Sequence, residues 1–267
     1  MQVTNLAYFY ETSRKVRGGK WVWVKDSNGE QRGNVLLGGT ILNPNKGFGH
    51  LWAAQLVQYT PAEGCLIFRS FELQADAAAD ATTIYLKGDG YSDAPEVGMY
   101  LMVAPEHLYV ETFSSESELT PDAETGKVDL SDAVITKTET EYKGAYAKVT
   151  AVEYDETNEK FKVTLENKLS AAQIDAGTIL VEADYDSIEA DLEEDNPTGL
   201  APVLVPNPNT FVEADRDLMP TEGYGIENAN YAISTVYNKQ AWIARMQPLP
   251  QYVLDMNKSN IDGIFWI

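Results

Sequence analysis

The residue types that most often perform nucleophilic or metal chemistry are scarce in this chain. Its two histidines, His50 and His107, stand far apart, and neither lies in a spaced metal motif or a triad pattern. The single cysteine, Cys65, excludes an internal disulfide and a zinc site built from thiolates, and its apolar neighbours predict a buried, unreactive thiol. Neither Gly38-Gly39 nor Gly47-Phe48-Gly49 is followed by the Lys-Ser/Thr of a phosphate-binding loop. We therefore expect no catalytic, cofactor-binding or metal-binding residues.

Carboxylates are the one chemically active group that is abundant, with 41 acidic residues against 20 basic ones. A suitably spaced pair could cleave glycosidic bonds, so a polysaccharide-degrading enzyme is one alternative. The segments 184–186 and 193–196 offer the oxygen ligands that calcium prefers, but neither follows the EF-hand pattern. With so many acids, neighbours in sequence arise by chance. We favour a solvated acidic surface.

The charge is distributed unevenly along the chain. The formal net charge is −21, yet residues 1–50 hold seven basic and three acidic residues, whereas residues 71–200 hold 30 acidic residues and eight lysines. Such a chain repels a phosphate backbone, which argues against nucleic acid as a partner. No run approaches the roughly 18 apolar residues of a membrane span, and the first residues do not resemble a signal peptide. The asymmetry predicts a basic segment that docks on a partner and an acidic middle that faces solvent.

The tryptophans divide the chain in nearly the same way, because all five lie outside residues 71–200. Tryptophan is enriched in well-packed cores and at interface centres, so we expect the two ends to share a core or a binding surface. The charge and tryptophan distributions together predict four segments. They are a basic, tryptophan-containing docking segment (1–72), an acidic β module (73–185), an acidic, proline-rich linker (186–209), and a C-terminal segment (210–267) that packs with the N-terminal part or a neighbouring subunit.

Short apolar or alternating runs, separated by Gly- and Asp-containing turns, predict many short strands. These runs are 21–25, 35–37, 40–42, 65–73, 82–87, 97–103, 145–152, 160–165 and 177–183. Helix is predicted only over 170–176, residues 184–196 read as an extended acidic linker, and residues 229–236 fit a helix or a strand. The expected fold is mainly β with little helix, a small β-barrel or sandwich module inserted between aromatic-rich N- and C-terminal segments.

The final residues are apolar and end in Ile264-Phe265-Trp266-Ile267. Full burial stabilises each such side chain by roughly 1.5–3 kcal/mol, so we expect these residues to be covered. The cover is either the chain's own core or another subunit, and we favour the subunit.

Four segments of the middle, 81–87, 97–101, 147–152 and 177–183, resemble strands of small β-barrel modules in accessory virion proteins of tailed bacteriophages. The last of them is similar to the late strand of head-decoration proteins. The acidic, tyrosine-bearing composition is similar to that of head-fibre and auxiliary capsid proteins, including those of crAss-like phages. The resemblance covers about residues 76–183 and consists of a strand pattern.

This resemblance implies a non-enzymatic structural protein of the virion, a head fibre or capsid decoration protein on the capsid surface. It implies binding to the major capsid protein, self-association as a trimer or dimer, and no cofactor. The partner-binding residues are then expected among the basic, aromatic and terminal apolar groups: Arg14, Lys15, Arg17, Trp21, Trp23, Trp52, Phe265 and Trp266. Two alternatives remain, a neck or tail component and a carbohydrate-binding adhesin of a fibre. The sugar-stacking face of such an adhesin would use Trp52, Tyr91, Tyr100 and Tyr109.

Overall fold

The structure, a computed structural model, describes residues 35–40, 50–51, 55–60, 64–89, 93–115, 135–212, 216–217, 230–236, 240–241, 247–256 and 265–266. The strands in these ranges are β1 (Val35–Thr40), β2 (His50–Leu51), β3 (Leu56–Thr60), β4 (Gly64–Ile67), β5 (Ser70–Glu72), β6 (Thr83–Lys87), β7 (Tyr100–Val103), β8 (Tyr109–Ser115), β9 (Ile135–Glu141), β10 (Gly144–Asp155), β11 (Lys160–Leu165), β12 (Ile179–Glu182), β13 (Leu200–Ala201), β14 (Thr210–Val212), β15 (Arg216–Asp217), β16 (Asn230–Val236), β17 (Gln240–Ala241) and β18 (Phe265–Trp266). The helices are α1 (Tyr185–Leu192) and α2 (Gln251–Met256). The prediction of a mainly β chain with little helix is confirmed.

A seven-stranded antiparallel sheet contains most of the described core. Its order is β5-β12-β7-β10-β11-β6, and β13 pairs with the start of β10. Strand β6 shows why these segments become strands, because Ile84 and Leu86 are buried while the residues between them are partly exposed. The buried cluster consists of Phe71, Leu73, Ala77, Ile84, Leu86, Met99, Leu101, Ala147, Val149, Val163, Leu165, Leu169 and Leu180.

The two outer strands of this sheet approach each other at one end. Leu73, which follows β5, forms an isolated bridge with Leu86 of β6. The Gln74 N–H donates to the Tyr85 carbonyl at 2.8 Å. Within the described residues the sheet is nevertheless not closed into a barrel.

A five-stranded sheet draws strands from both ends of the chain, in the order β1-β16-β14-β3-β4. Residues 230–236 form its strand β16, although their sequence fits a helix equally well. The single strand predicted over 65–73 is divided, since β4 belongs to this sheet and β5 to the seven-stranded one. Phe68 and Arg69 lie between the two strands, and both are buried. The predicted segment boundaries stay a prediction.

The prediction of an extended linker over residues 184–196 is wrong, because helix α1 occupies most of it. The Asp184 side chain caps the helix by accepting the Ser187 N–H at 3.2 Å, and Ile188 is fully buried. Past the helix, Val203 and Val205 are also buried, so this segment packs against the fold. Neither helix in the described part of the chain is long and apolar enough to cross a membrane.

The helix predicted over residues 170–176 is also wrong. Ile174 forms an isolated antiparallel bridge with Ala77, through backbone hydrogen bonds of 2.8 and 2.9 Å in the two directions. Pairing with a distant segment determines the backbone here.

The described part of residues 107–142 is a compact unit by itself, and the other described residues form the second unit. The smaller unit contains β8 and β9, which pair with each other in antiparallel fashion over seven residue pairs, from Tyr109↔Glu141 to Ser115↔Ile135.

Candidate functional site

The ribbon formed by β8 and β9 is exposed along its described length. Tyr109 is 58% exposed and Val110 is 45% exposed, and every other side chain described in the two strands is also exposed. An isolated two-stranded ribbon is marginally stable in water, because it has no third strand or layer against which to bury a face. A ribbon of this kind is a surface that a partner can cover.

The two faces of the ribbon differ in charge. Side chains alternate between faces along a strand, and directly paired residues share a face. One face therefore carries Tyr109, Glu111, Lys137, Glu139 and Glu141, and the other carries Val110, Thr112, Thr138 and Thr140. The second face holds no charged residue among those described, which is unusual for so acidic a chain.

On the charged face, Lys137 forms ion pairs with two glutamates. Its Nζ lies 2.6 Å from Glu111 Oε1 and 2.7 Å from Glu139 Oε1. The hydrogen bonds to Glu111 and then to Glu139 raise the pKa of Lys137, and the Lys137 hydrogen bond lowers the pKa of Glu139. Glu111 and Glu139 are directly opposite in the register, where two like charges repel unless a cation lies beside them. The lysine supplies that cation.

The larger unit contains a buried ion pair that the sequence does not predict. Arg69 and Glu182 are 2% and 3% exposed. The Arg69 guanidinium donates hydrogen bonds from Nε and Nη2 to the Glu182 carboxylate, at 2.8 and 2.9 Å. Burial lowers the pKa of Arg69, but the attraction to Glu182 prevails and the pKa is raised. A bidentate geometry of this kind compensates part of the desolvation cost of both ions.

Further acidic groups surround the same guanidinium. Glu96 Oε2 lies 3.7 Å from Arg69 Nη1, and the buried Asp93 accepts the Ser70 N–H at 3.3 Å. Burial raises the pKa of Glu96; Arg69 opposes this rise, and the charges of Glu182 and Asp93 add to it. Three carboxyl groups thus lie around one guanidinium, and Glu96 is the most exposed of the three.

This cluster connects distant parts of the larger unit. The Phe68 carbonyl accepts hydrogen bonds from Gln55 Nε2 at 2.6 Å and from Gln247 Nε2 at 3.0 Å, and the Tyr252 hydroxyl donates to the Val205 carbonyl at 3.2 Å. The gap lined by Phe68, Arg69, Val181, Glu182, Val205 and Tyr252 has no room for a water molecule. Its geometry is that of a closed structural contact. No three His, Cys, Asp or Glu residues in the described ranges are arranged to hold a metal ion.

The tyrosines proposed as a sugar-stacking face are not equivalent. Tyr100 makes edge contacts with Tyr146 and Tyr185, at ring-centroid distances of 5.7 and 5.1 Å. The Lys148 ammonium lies 5.4 Å from the centre of the Tyr100 ring. The Tyr100 ring is therefore already in contact with side chains of this chain. Tyr109 is exposed on the ribbon of the other unit, and Tyr91 and Trp52 lie outside the described residues.

Most of the predicted partner-binding residues lie outside the described ranges: Arg14, Lys15, Arg17, Trp21, Trp23 and Trp52. Phe265 and Trp266 form strand β18, which pairs in parallel with β17. His50 lies in β2, Cys65 lies in β4 and His107 is exposed.

The ribbon is the feature that sequence reasoning missed, although a signal was present. Threonine recurs at positions 136, 138 and 140, and Lys137, Glu139 and Glu141 alternate with it. This period of two is typical of a strand with different faces. The chain matches no family model, no curated protein and no solved structure.

Proposed function

We propose that this chain is a non-enzymatic structural protein of a phage particle, a head fibre or capsid decoration protein that binds the major capsid protein. The observation that carries the proposal is the exposed ribbon of β8 and β9. It offers apolar and hydroxyl side chains on a strongly acidic chain, and it buries little of itself. Such an element contributes binding surface rather than a core.

The resemblance to accessory virion modules is consistent with the sheet order. The segments that carry it overlap strands β6, β7, β10 and β12, all of which belong to the seven-stranded sheet.

The acidic surface also fits this role. Residues 71–200 hold 30 acidic residues and eight lysines, and such a charge keeps densely displayed copies from associating nonspecifically. The basic segment of residues 1–50 remains the proposed second contact with the shell, where charge would guide docking and aromatic groups would provide affinity.

Quantitative mass spectrometry of purified particles tests the location. We expect the chain in a fixed ratio to the shell subunit, as symmetric decoration requires. A copy number that corresponds to one vertex of the shell would instead identify a neck or tail component. Absence of the chain from particles would refute the proposal.

A binding assay tests the ribbon. Purified shells should lose affinity for the double variant Tyr109→Ser/Val110→Ser. The matched control Val97→Ser/Leu200→Ser also removes two exposed apolar side chains, but from the larger unit, and should bind like the wild type. Equal binding by both variants would show that the ribbon does not contact the shell. Strong signals on a glycan array without shell binding would favour the adhesin.

A further inference from the structure

We infer that the outer edge of β9 pairs in antiparallel fashion with the β9 strand of a second copy, around a two-fold axis at Thr138. This inference adds a contact between copies to the proposed structural role, but it depends only on the ribbon itself. It follows from three properties of β9: the direction of its backbone groups, its self-complementary charges and its lack of a second neighbour among the described strands.

The backbone direction follows from the hydrogen bonds inside the ribbon. The Tyr142 N–H donates to the Leu108 carbonyl at 2.8 Å, so this pair is a hydrogen-bonded one. Hydrogen-bonded and non-hydrogen-bonded pairs alternate in antiparallel strands. The even-numbered residues of β9 therefore direct their N–H and C=O groups toward β8, and Lys137 and Glu139 direct theirs away from it. Among the strands described, β9 pairs with β8 alone, so no described strand occupies this outer edge.

The residues on this edge are complementary to themselves. When two copies of Ile135–Glu141 run antiparallel with Thr138 opposite Thr138, Lys137 of each copy lies opposite Glu139 of the other. Both residues of each such pair direct their backbone groups outward, so the hydrogen bonds of the ladder and the opposite charges coincide. Centring the axis on Lys137 would instead place lysine on lysine, and centring it on Glu139 would place glutamate on glutamate.

Strand β8 lacks this property. An antiparallel copy centred on Thr112 places Glu111 opposite Phe113, and one centred on Glu111 places two glutamates together. The charge pattern thus selects β9 and one register of it.

Pairing also relieves a repulsion within each ribbon. Glu111 and Glu139 are directly opposite, with Lys137 bound to both. In the paired form each Glu139 gains a second lysine neighbour, contributed by the other copy. The contact is isologous, which is the commonest symmetry of protein dimers, and it uses the strand-addition mode of recognition.

Cysteine crosslinking tests the register in the full chain, with Cys65→Ser as the background. In the proposed pairing Thr138 faces itself in a non-hydrogen-bonded pair, where Cα atoms are about 4.5 Å apart, within the range that a disulfide spans. The Thr138→Cys variant should therefore form a covalent dimer on oxidation. Thr140→Cys is the matched control, because its copies would be four residues out of register, about 13 Å apart. Absence of the first crosslink, or equal crosslinking of both variants, overturns the inference.

Charge exchange tests the interface without a crosslink. By sedimentation equilibrium, Lys137→Glu and Glu139→Lys should each weaken self-association by roughly tenfold or more, because two attractive pairs become two repulsive ones. The double variant should recover dimerisation, and an equimolar mixture of the two single variants should form a mixed dimer. Lys162→Glu and Glu153→Lys are matched controls at an exposed pair of the larger unit, 3.1 Å apart, and should leave the dimer unchanged.

The outcomes separate this inference from the proposed function. A wild-type chain that is monomeric at high concentration, or single variants that dimerise as well as the wild type, overturn the inference even if the chain is found on particles. A dimer that responds to the charge exchange supports the inference even if the chain is absent from particles.

Discussion

The substitution Arg69→Met should destabilise the protein strongly. It replaces a guanidinium that is 2% exposed and that holds Glu182 through two hydrogen bonds, while keeping the unbranched stem of the side chain. The Glu182 carboxylate is 3% exposed and would lose the cation that faces it. The main effect is therefore the cost of a buried carboxylate without this partner, rather than the loss of packing.

The magnitude can be worked from the two contacts. Hydrogen bonds to charged groups contribute about 1.5–3 kcal/mol each, so losing both costs about 3–6 kcal/mol. Removing one partner of a buried ion pair costs about 3–5 kcal/mol, which agrees. The double variant Arg69→Met/Glu182→Leu removes both charges of this pair and should recover part of the loss, because apolar groups tolerate burial while Asp93 and Glu96 still lose the nearby guanidinium.

Urea denaturation followed by circular dichroism measures the free energy of unfolding of each variant. Lys162→Met is the control, because it breaks an exposed ion pair with Glu153 and should cost less than about 1 kcal/mol. A cost for Arg69→Met as small as that of the control would refute the reasoning. So would a double variant that is less stable than Arg69→Met alone.

Three further predictions concern stability. Because the pKa of Glu96 is raised in the folded state, its contribution to the free energy of unfolding is fully present below the unfolded pKa of about 4.5 and is lost as the pH rises through the folded pKa. Glu96→Gln should flatten this decline in urea titrations run at several pH values, and an unchanged pH profile would contradict the prediction. Asp184→Ala removes the cap of α1 and should cost about 1 kcal/mol in chemical denaturation, whereas the exposed Asp186→Ala should cost less. Gly177 has a φ of +87°, so Gly177→Ala should cost about 1–2 kcal/mol and Gly177→Asn less, as measured by thermal unfolding.

The parts of the fold that local pattern determines were predictable from sequence. Strand β6 and the hairpin of β10 and β11 lie where alternation and a polar loop indicate them. Helix α1 was not predicted, because the many acidic residues of 184–196 read as a solvated segment. The single buried Ile188 and the Asp184 cap, two short-range signals, are what anchor the helix.

The buried ion pair and the ribbon depend on contacts between residues that are far apart in the sequence. Arg69 is 113 residues from Glu182, and no local pattern marks it as buried, since a lone arginine in an apolar run is equally typical of an exposed position. The alternation of residues 136–141 was readable as a strand, but its partner β8 is 26 residues away, and the register with that strand depends on pairing that sequence alone does not reveal.

The contacts of the Phe68 carbonyl have a consequence for biosynthesis. One of its hydrogen-bond donors, Gln55, has already been synthesised when residue 68 leaves the ribosome, but the other, Gln247, follows 179 residues later. The Ser70 hydroxyl likewise donates to the carbonyl of Pro248. The larger unit cannot reach its native packing until residues 247–248 emerge, and its early strands remain exposed to aggregation or chaperone capture until then.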